Sequence, residues 1–562
     1  MTPRVPLARA AAFAALAVAA LGAVPAAADT QSVSETPYED TSVGYSIKPM
    51  RGWEPKPRKN PGDPMAQIEA GGWYLRPNAK KPDEMDGVEC DVLKFGSYFG
   101  EGSRAVATAS DTGDGKGDGG GDGKGGEPGS EPEKKEGPKT VEDLFGKAPK
   151  SFDECLNLME KAYRQQGWYL DIDPKPQAMG DDDGRLWEGV LSRGGTKFHV
   201  IGATVRRGDF EVAVLYRCPD GKWFVRDFRG ALRSSAKSLR ILPEAKMRKA
   251  KDLLDKKLLG VDPEAAYAER AIAALPPGWL HHKTANYVLV YDKSVEHTNP
   301  GLIKRIAFQL ERLRADIYEK VFPAARPITA RSIVKITQDP AQYAAYGAPR
   351  GSAGYWSWPS RELVFFCAAK DVDVTLDVLN HEAFHQYIFY AVGQFSPHSW
   401  FNEGHGDYFA GFNLKDGKFT PGKFHWRQKL IQGAIEGGNH VPLKQFLSFD
   451  QMKYYGGLGG APKAGGDIGQ NYAQGWSLVW FLRTTKNEKY AGVLDRYFGA
   501  LKAEVTKWRE EDEAAAAAAN QPPSLLMPKE ANDKACEAAL SAAFGGIDLD
   551  ELEKDWIASK PY

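Results

Sequence analysis

At 562 residues, with 42% hydrophobic content and a formal net charge of -1, the chain is long enough to bury more than one core. It carries no global basic bias, which argues against nucleic acid as a partner. Five cysteines, Cys90, Cys155, Cys218, Cys367 and Cys536, are too few and too scattered for a disulfide scaffold and lack paired metal spacing. One or two disulfides stay open, and Cys367, within the run Leu363 to Cys367, reads as a buried apolar residue.

Taken in chain order, Arg4 and Arg9 precede an apolar run from Ala10 to Val24, and Ala26-Ala27-Ala28 before Asp29 has the small-residue pattern of a signal-peptidase site. Residues 1–28 are therefore expected to be a signal peptide, and the protein to be secreted or periplasmic. The run is shorter than the roughly 20 residues that span a bilayer, and no later stretch is long and apolar enough to do so. Residues 29–245 read as an α+β accessory domain. Tyr45 to Pro49 and Phe210 to Tyr216 are strand-like, and Ser151 to Gln166 reads as an amphipathic helix. Between about 110 and 139, Asp-Gly-Lys repeats and a Glu-Pro-Lys tail form a flexible linker that cannot bury a core. A calcium loop is the sharper alternative. Asp114, Asp118 and Asp122 fit neither an EF-hand nor a Gly-Gly-x-Gly-x-Asp repeat, so linker is preferred.

Residues 246–279 read as a helical connector, in which the charged helical segment Glu244 to Leu259 joins the two halves, and 280–562 read as a second domain. Its pattern is strand (Tyr287 to Tyr291), long helix (Leu302 to Val321), strand (Ser332 to Thr337), then a hairpin of Gly354 to Trp356 with Leu363 to Phe366. The next helix carries His381-Glu382-Ala383-Phe384-His385. Two imidazoles one helical turn apart lie on one face and can reach a single ion, which zinc accepts readily. Glu382, angled to one side, is the candidate general base that accepts a proton from a zinc-activated water. Both histidines could instead be satisfied core residues, so a third ligand is needed. Glu403 supplies it from a second helix, Trp400 to Phe409, and three protein ligands leave one position open, as a catalytic zinc site requires. Asp407, one turn beyond Glu403, is placed to accept the free ring N–H of His381. His405 points away from the metal, and His398, His425 and His440 are lone histidines whose structural reading is favoured. After Tyr472 the chain reads as helical to about Ala503. An Ala-rich, Pro-containing insertion around Ala514 to Pro523 precedes a last short helical piece.

The pair His-Glu-Ala-Phe-His and Trp-Phe-Asn-Glu-Gly-His-Gly-Asp-Tyr-Phe (residues 400–409) resembles the gluzincin metallopeptidases, the group of thermolysin and the one-zinc aminopeptidases, and especially secreted bacterial proteins with a peptidase MA-like domain. The resemblance covers roughly residues 280 to 505. It implies a catalytic domain with a small sheet above a helical half. It also implies one Zn2+ on His381, His385 and Glu403, with Glu382 catalytic and Asp407 behind the ligands. In the aminopeptidases of this group a tyrosine in a Tyr-x-Lys-Gly setting stabilises the tetrahedral intermediate. Tyr472-Ala473-Gln474-Gly475 is similar, with Gln474 in place of the Lys, so Tyr472 is the matching catalytic candidate. A Gly-x-Met-Glu-Asn segment, which binds amino termini in those aminopeptidases, is missing. The resemblance further implies that an edge strand within Tyr355 to Phe366 binds extended substrate, with Tyr355, Trp356 and Trp358 as apolar subsites or as ordinary core.

The expected function is thus a secreted zinc metallopeptidase acting on a peptide or protein. The alternatives are an inactive zinc-domain scaffold that contacts the cell envelope through residues 29–245, or a cell-wall amide hydrolase. A serine hydrolase is disfavoured, because Gly475-Trp476-Ser477-Leu478-Val479 lacks the second Gly of a nucleophile elbow.

Overall fold

The computed structural model describes residues 31–560 apart from 61–63, 76–87, 100–147, 174, 181–182, 222–223, 350–351, 368–371, 394, 416–417, 423, 456–467, 522 and 525–526. The expected signal peptide and the 110–139 linker lie outside the described residues. The chain is a mixed α and β structure with separate sheets in its two halves.

In the first half, β1 (Tyr38–Asp40) and β2 (Tyr45–Ile47) form a small antiparallel sheet with a later strand, β11 (Arg240–Ile241). The main sheet has eight strands, all antiparallel. They are β3 (Glu54–Pro55), β4 (Glu69–Tyr74), β5 (Glu89–Phe95), β6 (Tyr169–Ile172), β7 (Gln177–Met179), β8 (Gly184–Arg193), β9 (Thr196–Arg207) and β10 (Phe210–Pro219). Their order is β3-β4-β5-β10-β9-β8-β6, with β7 also on β8. Helix α1 (Phe152–Gln165), whose first turn is capped by the Ser151 hydroxyl, covers one face, and α2 (Arg229–Lys237) covers the other. The central strand explains its own sequence. Ala213 and Leu215 enter the α1 core while Val212, Val214 and Tyr216 enter the opposite one, so a strand buried on both faces reads as one apolar run.

In the second half, β12 (Trp279–Lys283), β13 (Tyr287–Asp292), β14 (Ser332–Thr337), β15 (Gly354–Ser357) and β16 (Glu362–Phe366) make a mixed sheet of order β12-β13-β14-β16-β15. The β13–β14 and β14–β16 pairs are parallel, while the outer pairs are antiparallel, leaving β15 at an edge. Helix α3 (Pro263–Ala273) covers the outer face through Val288, Val290 and Ile333. The parallel β13–β14 pair requires a crossover, and α4 (Leu302–Leu313) supplies it. The inner face packs on the helical half through Leu289, Val334, Ile336, Leu363 and Phe365.

That half begins with α5 (Val372–Val392), the helix of the His-Glu-x-x-His motif. Its buried polar groups are tied to its neighbours: Gln309 Nε2 donates to Asn380 Oδ1 (2.6 Å), Gln386 Nε2 to the Ile333 carbonyl (2.9 Å) and the Tyr318 hydroxyl to the Asn380 carbonyl (3.0 Å). A buried helix tied at these three points has a fixed rotation, which fixes where its histidines point. Helices α6 (Ser399–Ala410), α7 (His425–Glu436), α8 (Ile468–Thr484) and α9 (Val493–Ala518) follow.

Three expectations are corrected. The helix from Leu302 to Val321 is not uniform, because a π-turn at Arg314–Tyr318 widens it. Of the expected insertion, the alanines to Ala518 are the end of α9, as the high helix propensity of alanine dictates, and only the part beyond them separates α9 from the next helix, Lys529–Phe544. All five cysteines are free and buried. Cys90 and Cys218 lie on adjacent strands, but Cys90 is opposite Tyr216, so the two thiols are a diagonal step apart and unsuited to a bridge. Among the described residues no helix is long and apolar enough to cross a membrane.

Candidate metal centre

Helices α5 and α6 meet where His381 and His385 face Glu403. Each of the three residues offers one ligand atom, and these atoms all lie within 4.8 Å of one another. Glu403 Oε2 is 3.1 Å from His381 Nε2 and 3.5 Å from His385 Nε2. The other ring nitrogens are engaged away from this point. His381 Nδ1 donates to Asp407 Oδ1 and His385 Nδ1 to Asn402 Oδ1, each at 3.1 Å. That pattern turns both Nε2 atoms toward the Glu403 carboxylate, where a bound cation would displace any proton between them. Two imidazole nitrogens and one carboxylate oxygen, converging with the opposite nitrogens already bonded, are a donor set that suits a borderline divalent cation such as zinc.

Close helix packing makes the convergence geometrically accessible. Gly404 faces α8, where an added Cβ would lie 2.6 Å from the Gly475 carbonyl oxygen, and Gly406 faces His381, where a Cβ would lie 2.7–2.9 Å from three ring atoms. Both positions exclude a side chain. Asp407 is held in turn by Arg427 on α7, whose Nε is 2.6 Å from Asp407 Oδ2 and whose Nη2 donates to Oδ1 at 3.3 Å. The Arg427 guanidinium also lies 4.7 Å above the Tyr472 ring. Tyr455, just after the short helix Gln451–Tyr454, donates its hydroxyl to Glu403 Oε1 at 2.6 Å, and its ring lies 6.2 Å from that of Tyr472.

Charge follows from this packing. Burial pushes the Glu403 carboxyl up, but the two imidazoles outweigh it and hold the group well below its ordinary value. Burial pulls His381 down, yet its hydrogen bonds to Asp407 and Glu403 raise it well above an ordinary imidazole. Glu382 is raised, because burial outweighs the pull of the two histidines. Tyr472 is also raised, by burial and then by the Glu403 charge.

A cavity of about 440 Å³ opens over the cluster, lined by His381, Glu382, His385, Glu403, Tyr455 and Tyr472 on one side and by the β15 edge, with Tyr355, Trp356 and Trp358, on the other. Every residue expected at the site is thus brought to one place, with Asp407 directly behind it. Tyr472 is both packed and on the wall: its ring lies 6.3 Å from that of His381 and against Tyr454 and Tyr455. Gln474 is not part of the site. Its amide ties down the Val441 backbone, accepting at 3.0 Å and donating at 2.6 Å. The other histidines of this half lie outside the cluster, and His425 is exposed at the start of α7. His405 is fully buried rather than at the surface, donating to the Phe401 carbonyl and accepting from Arg483. His398 is bonded to Tyr497, and His440 to Glu553. Ser477 donates to the Gln474 carbonyl inside the core.

Asn402, Gly406, Arg427 and Tyr455 escaped the sequence reading. The Asn-Glu pair at the start of α6 was a signal for Asn402, since a residue beside a ligand on the second helix can reach the second histidine. Arg427 and Tyr455 have no spacing rule that links them to the motifs.

No family profile matches this chain, and no curated protein does. Among solved structures, the cyanobacterial PsbP (CyanoP) of Synechocystis matches at 12% identity over 40% of this chain and 98% of its own, with a TM-score of 0.21. A metallopeptidase from Bacteroides thetaiotaomicron matches at 10% identity over 66% of this chain and 62% of its own, also with a TM-score of 0.21.

Proposed function

We propose that this protein is a zinc-dependent metallopeptidase of gluzincin type, with the ion held by His381, His385 and Glu403. The observation that carries the reading is the convergence of two Nε2 atoms and one carboxylate oxygen from adjacent helices, each imidazole anchored through its far nitrogen. The mixed sheet with an antiparallel edge strand, followed at once by the motif helix and a helical half, is the arrangement that the sequence resemblance implies. Signal-directed secretion and the domain limits at 28, 245 and 279 belong to the same proposal.

Bound at this site, zinc would supply a Lewis acid for the scissile carbonyl and would acidify a water in the open position. Glu382 takes the proton of the attacking water and delivers it to the leaving amine. Glu382 lines the same cavity as the β15 edge strand, so the base and the backbone of an extended substrate on that edge meet there. Asp407, steadied by Arg427, holds the His381 tautomer, and Asn402 does the same for His385. The Tyr472 hydroxyl, with Tyr455 behind it, is the candidate donor to the developing oxyanion.

The test pairs two variants in the protein starting at Asp29, assayed on a quenched peptide library. Glu382→Gln should lower turnover by roughly 10²–10⁴-fold while one zinc per chain stays bound, and Glu403→Ala should lose the zinc. Full activity in Glu382→Gln removes the general-base role, and undiminished zinc in Glu403→Ala removes the three-ligand site.

A further inference from the structure

The turn between β15 and β16, residues 358–361, joins the cavity wall to side chains that do not reach the cavity. Trp358 opens the turn and lines the cavity with Tyr355 and Trp356 of β15, whereas Asn60, Glu264, Tyr267 and Arg361 lie outside it. The turn closes on the Arg361 N–H, which donates to the Trp358 carbonyl at 3.3 Å. Arg361 has a φ of +46°, a left-handed backbone that favours glycine or asparagine. An arginine held there is explained by what its side chain does. Its Nη1 donates to both Glu264 carboxylate oxygens, at 2.8 and 2.6 Å, and its guanidinium lies 5.3 Å from the centre of the Tyr267 ring. Glu264 and Tyr267 are three residues apart on α3 and so share a face. From that face the Tyr267 hydroxyl donates to the Ser360 carbonyl at 2.7 Å, and Asn60 of the first half donates to the same oxygen at 3.2 Å. The start of β15 is fixed by contact instead, since a Cβ on Gly354 would lie 2.6 Å from Val378 of the motif helix.

We propose that Arg361 is a positioning residue for the substrate chain. Through Glu264 and the Ser360 carbonyl, α3 and the segment around Asn60 set where Trp358 and the β15 edge stand over the metal cluster. Binding of an extended peptide thus depends on an ion pair outside the cavity, whereas a small ligand of the metal does not need it. The inference rests on the peptide-hydrolase reading for its substrate and on the clamp itself for its control of the edge. The paired side chains are 25% and 43% exposed, so the pair adds little to overall stability and its removal can be read at the site.

The test uses the zinc-loaded chain from Asp29 carrying Glu382→Gln, so that binding is read without turnover. Tetraalanine hydroxamate is the extended probe and acetohydroxamate the small one. Adding Arg361→Gly should weaken the extended probe roughly 10-fold and leave acetohydroxamate unchanged. The thermal midpoint should stay near that of the parent, because relief of the left-handed backbone offsets the loss of a partly exposed ion pair. Glu264→Gln, which leaves the turn sequence intact, should repeat the loss from the other side, and it decides the matter if Arg361→Gly does not fold. With Glu382 restored, the same substitutions should raise KM for a cleaved peptide by a similar factor and change kcat by less than about twofold. Equal loss of both probes with a lowered midpoint makes the turn a fold contact only and overturns the proposal. Parent-like binding of the extended probe in either variant does the same, as does a parent that binds it no better than acetohydroxamate. Loss of the extended probe alone, when the chain that keeps Glu382 cleaves no peptide, overturns the hydrolase reading and keeps the positioning role. Failure of both probes to bind the parent overturns both.

Discussion

Single residues at the centre are constrained by what surrounds the metal ligands more than by the ligands themselves. Gly406 is the clearest case. A glycine inside a helix costs about 1 kcal/mol relative to alanine, and α6 carries this one because a Cβ would press on Cε1, Nδ1 and Nε2 of His381 at 2.7–2.9 Å. The Gly406→Ala protein should therefore keep its helix content while the His381 ring rotates away from Asp407. Zinc affinity is expected to fall by roughly 10–100-fold, the usual cost of disturbing an outer partner of a ligand. A competition titration against a chromophoric chelator, with circular dichroism on the same samples, measures both. Unchanged affinity would mean that the ring position is not set by this contact. Asn402 and Tyr455 occupy the same tier, one fixing the His385 tautomer and the other bonding the ligand carboxylate.

At the scale of elements, α6 links the site to the stability of the fold. His398 caps its start, with Nδ1 2.8 Å from the Tyr497 hydroxyl, and burial pulls the imidazole down from 6.5 to about 4. A depressed folded-state pKa means that the unfolded chain takes up the proton first as pH falls. The stabilising contribution is therefore present above about pH 6.5 and is lost progressively down to about pH 4. The loss is at most about 3.4 kcal/mol at 1.36 kcal/mol per pKa unit. His405, held neutral by burial and by Arg483, acts in the same direction. Chemical denaturation at several pH values should give a shallower loss across this window for His398→Gln than for the native protein. Identical slopes would place the acid sensitivity elsewhere.

The same elements show what could be read from sequence. β14 matches its predicted limits because Ser332 to Thr337 is a short β-branched run, and α1 was legible through its amphipathic face and Ser151 cap. Helix α5 mixes polar and apolar residues with no single apolar face, so it was located by the spacing of His381 and His385 and not by periodicity. β8 and β9 passed unnoticed because strands covered on both faces have little alternation to detect. The third proposed ligand could be named from sequence because Glu403 sits in a second motif, and the structure brings it beside His381 and His385. Arg427 and Tyr455 were not, because only the folded helical half brings them to Asp407 and Glu403.

For the whole molecule, the question is how the first half relates to the site. All described residues that line the cavity fall between 352 and 472, whereas the first half contacts the opposite face of the second sheet. There the segment 54–60 crosses β14 and β16. Asn60 Nδ2 donates to the Ser360 carbonyl (3.2 Å), Gln338 Nε2 donates to Glu54 Oε2 (3.1 Å) and Lys335 Nζ donates to the Arg58 carbonyl. Beneath this segment Lys335 and Glu362 form an ion pair at 2.8 Å, with side chains 2% and 0% exposed. A charge pair this deep depends on its cover, since water reaching it would weaken the attraction and the surrounding apolar contacts together. The halves should therefore unfold as one unit. In the zinc-loaded protein, the calorimetric transition, the loss of tryptophan burial and the release of zinc to a fluorescent chelator are expected to share one midpoint. Lys335→Met leaves Glu362 buried without its counter-ion and should lower stability by about 3–5 kcal/mol, moving all three midpoints together. Adding Glu362→Leu should restore much of that loss, because replacing both charges removes the uncompensated one. If the first half melts early while zinc stays bound, the buried pair does not couple the halves, and the accessory half is a separable module docked on the back of the sheet.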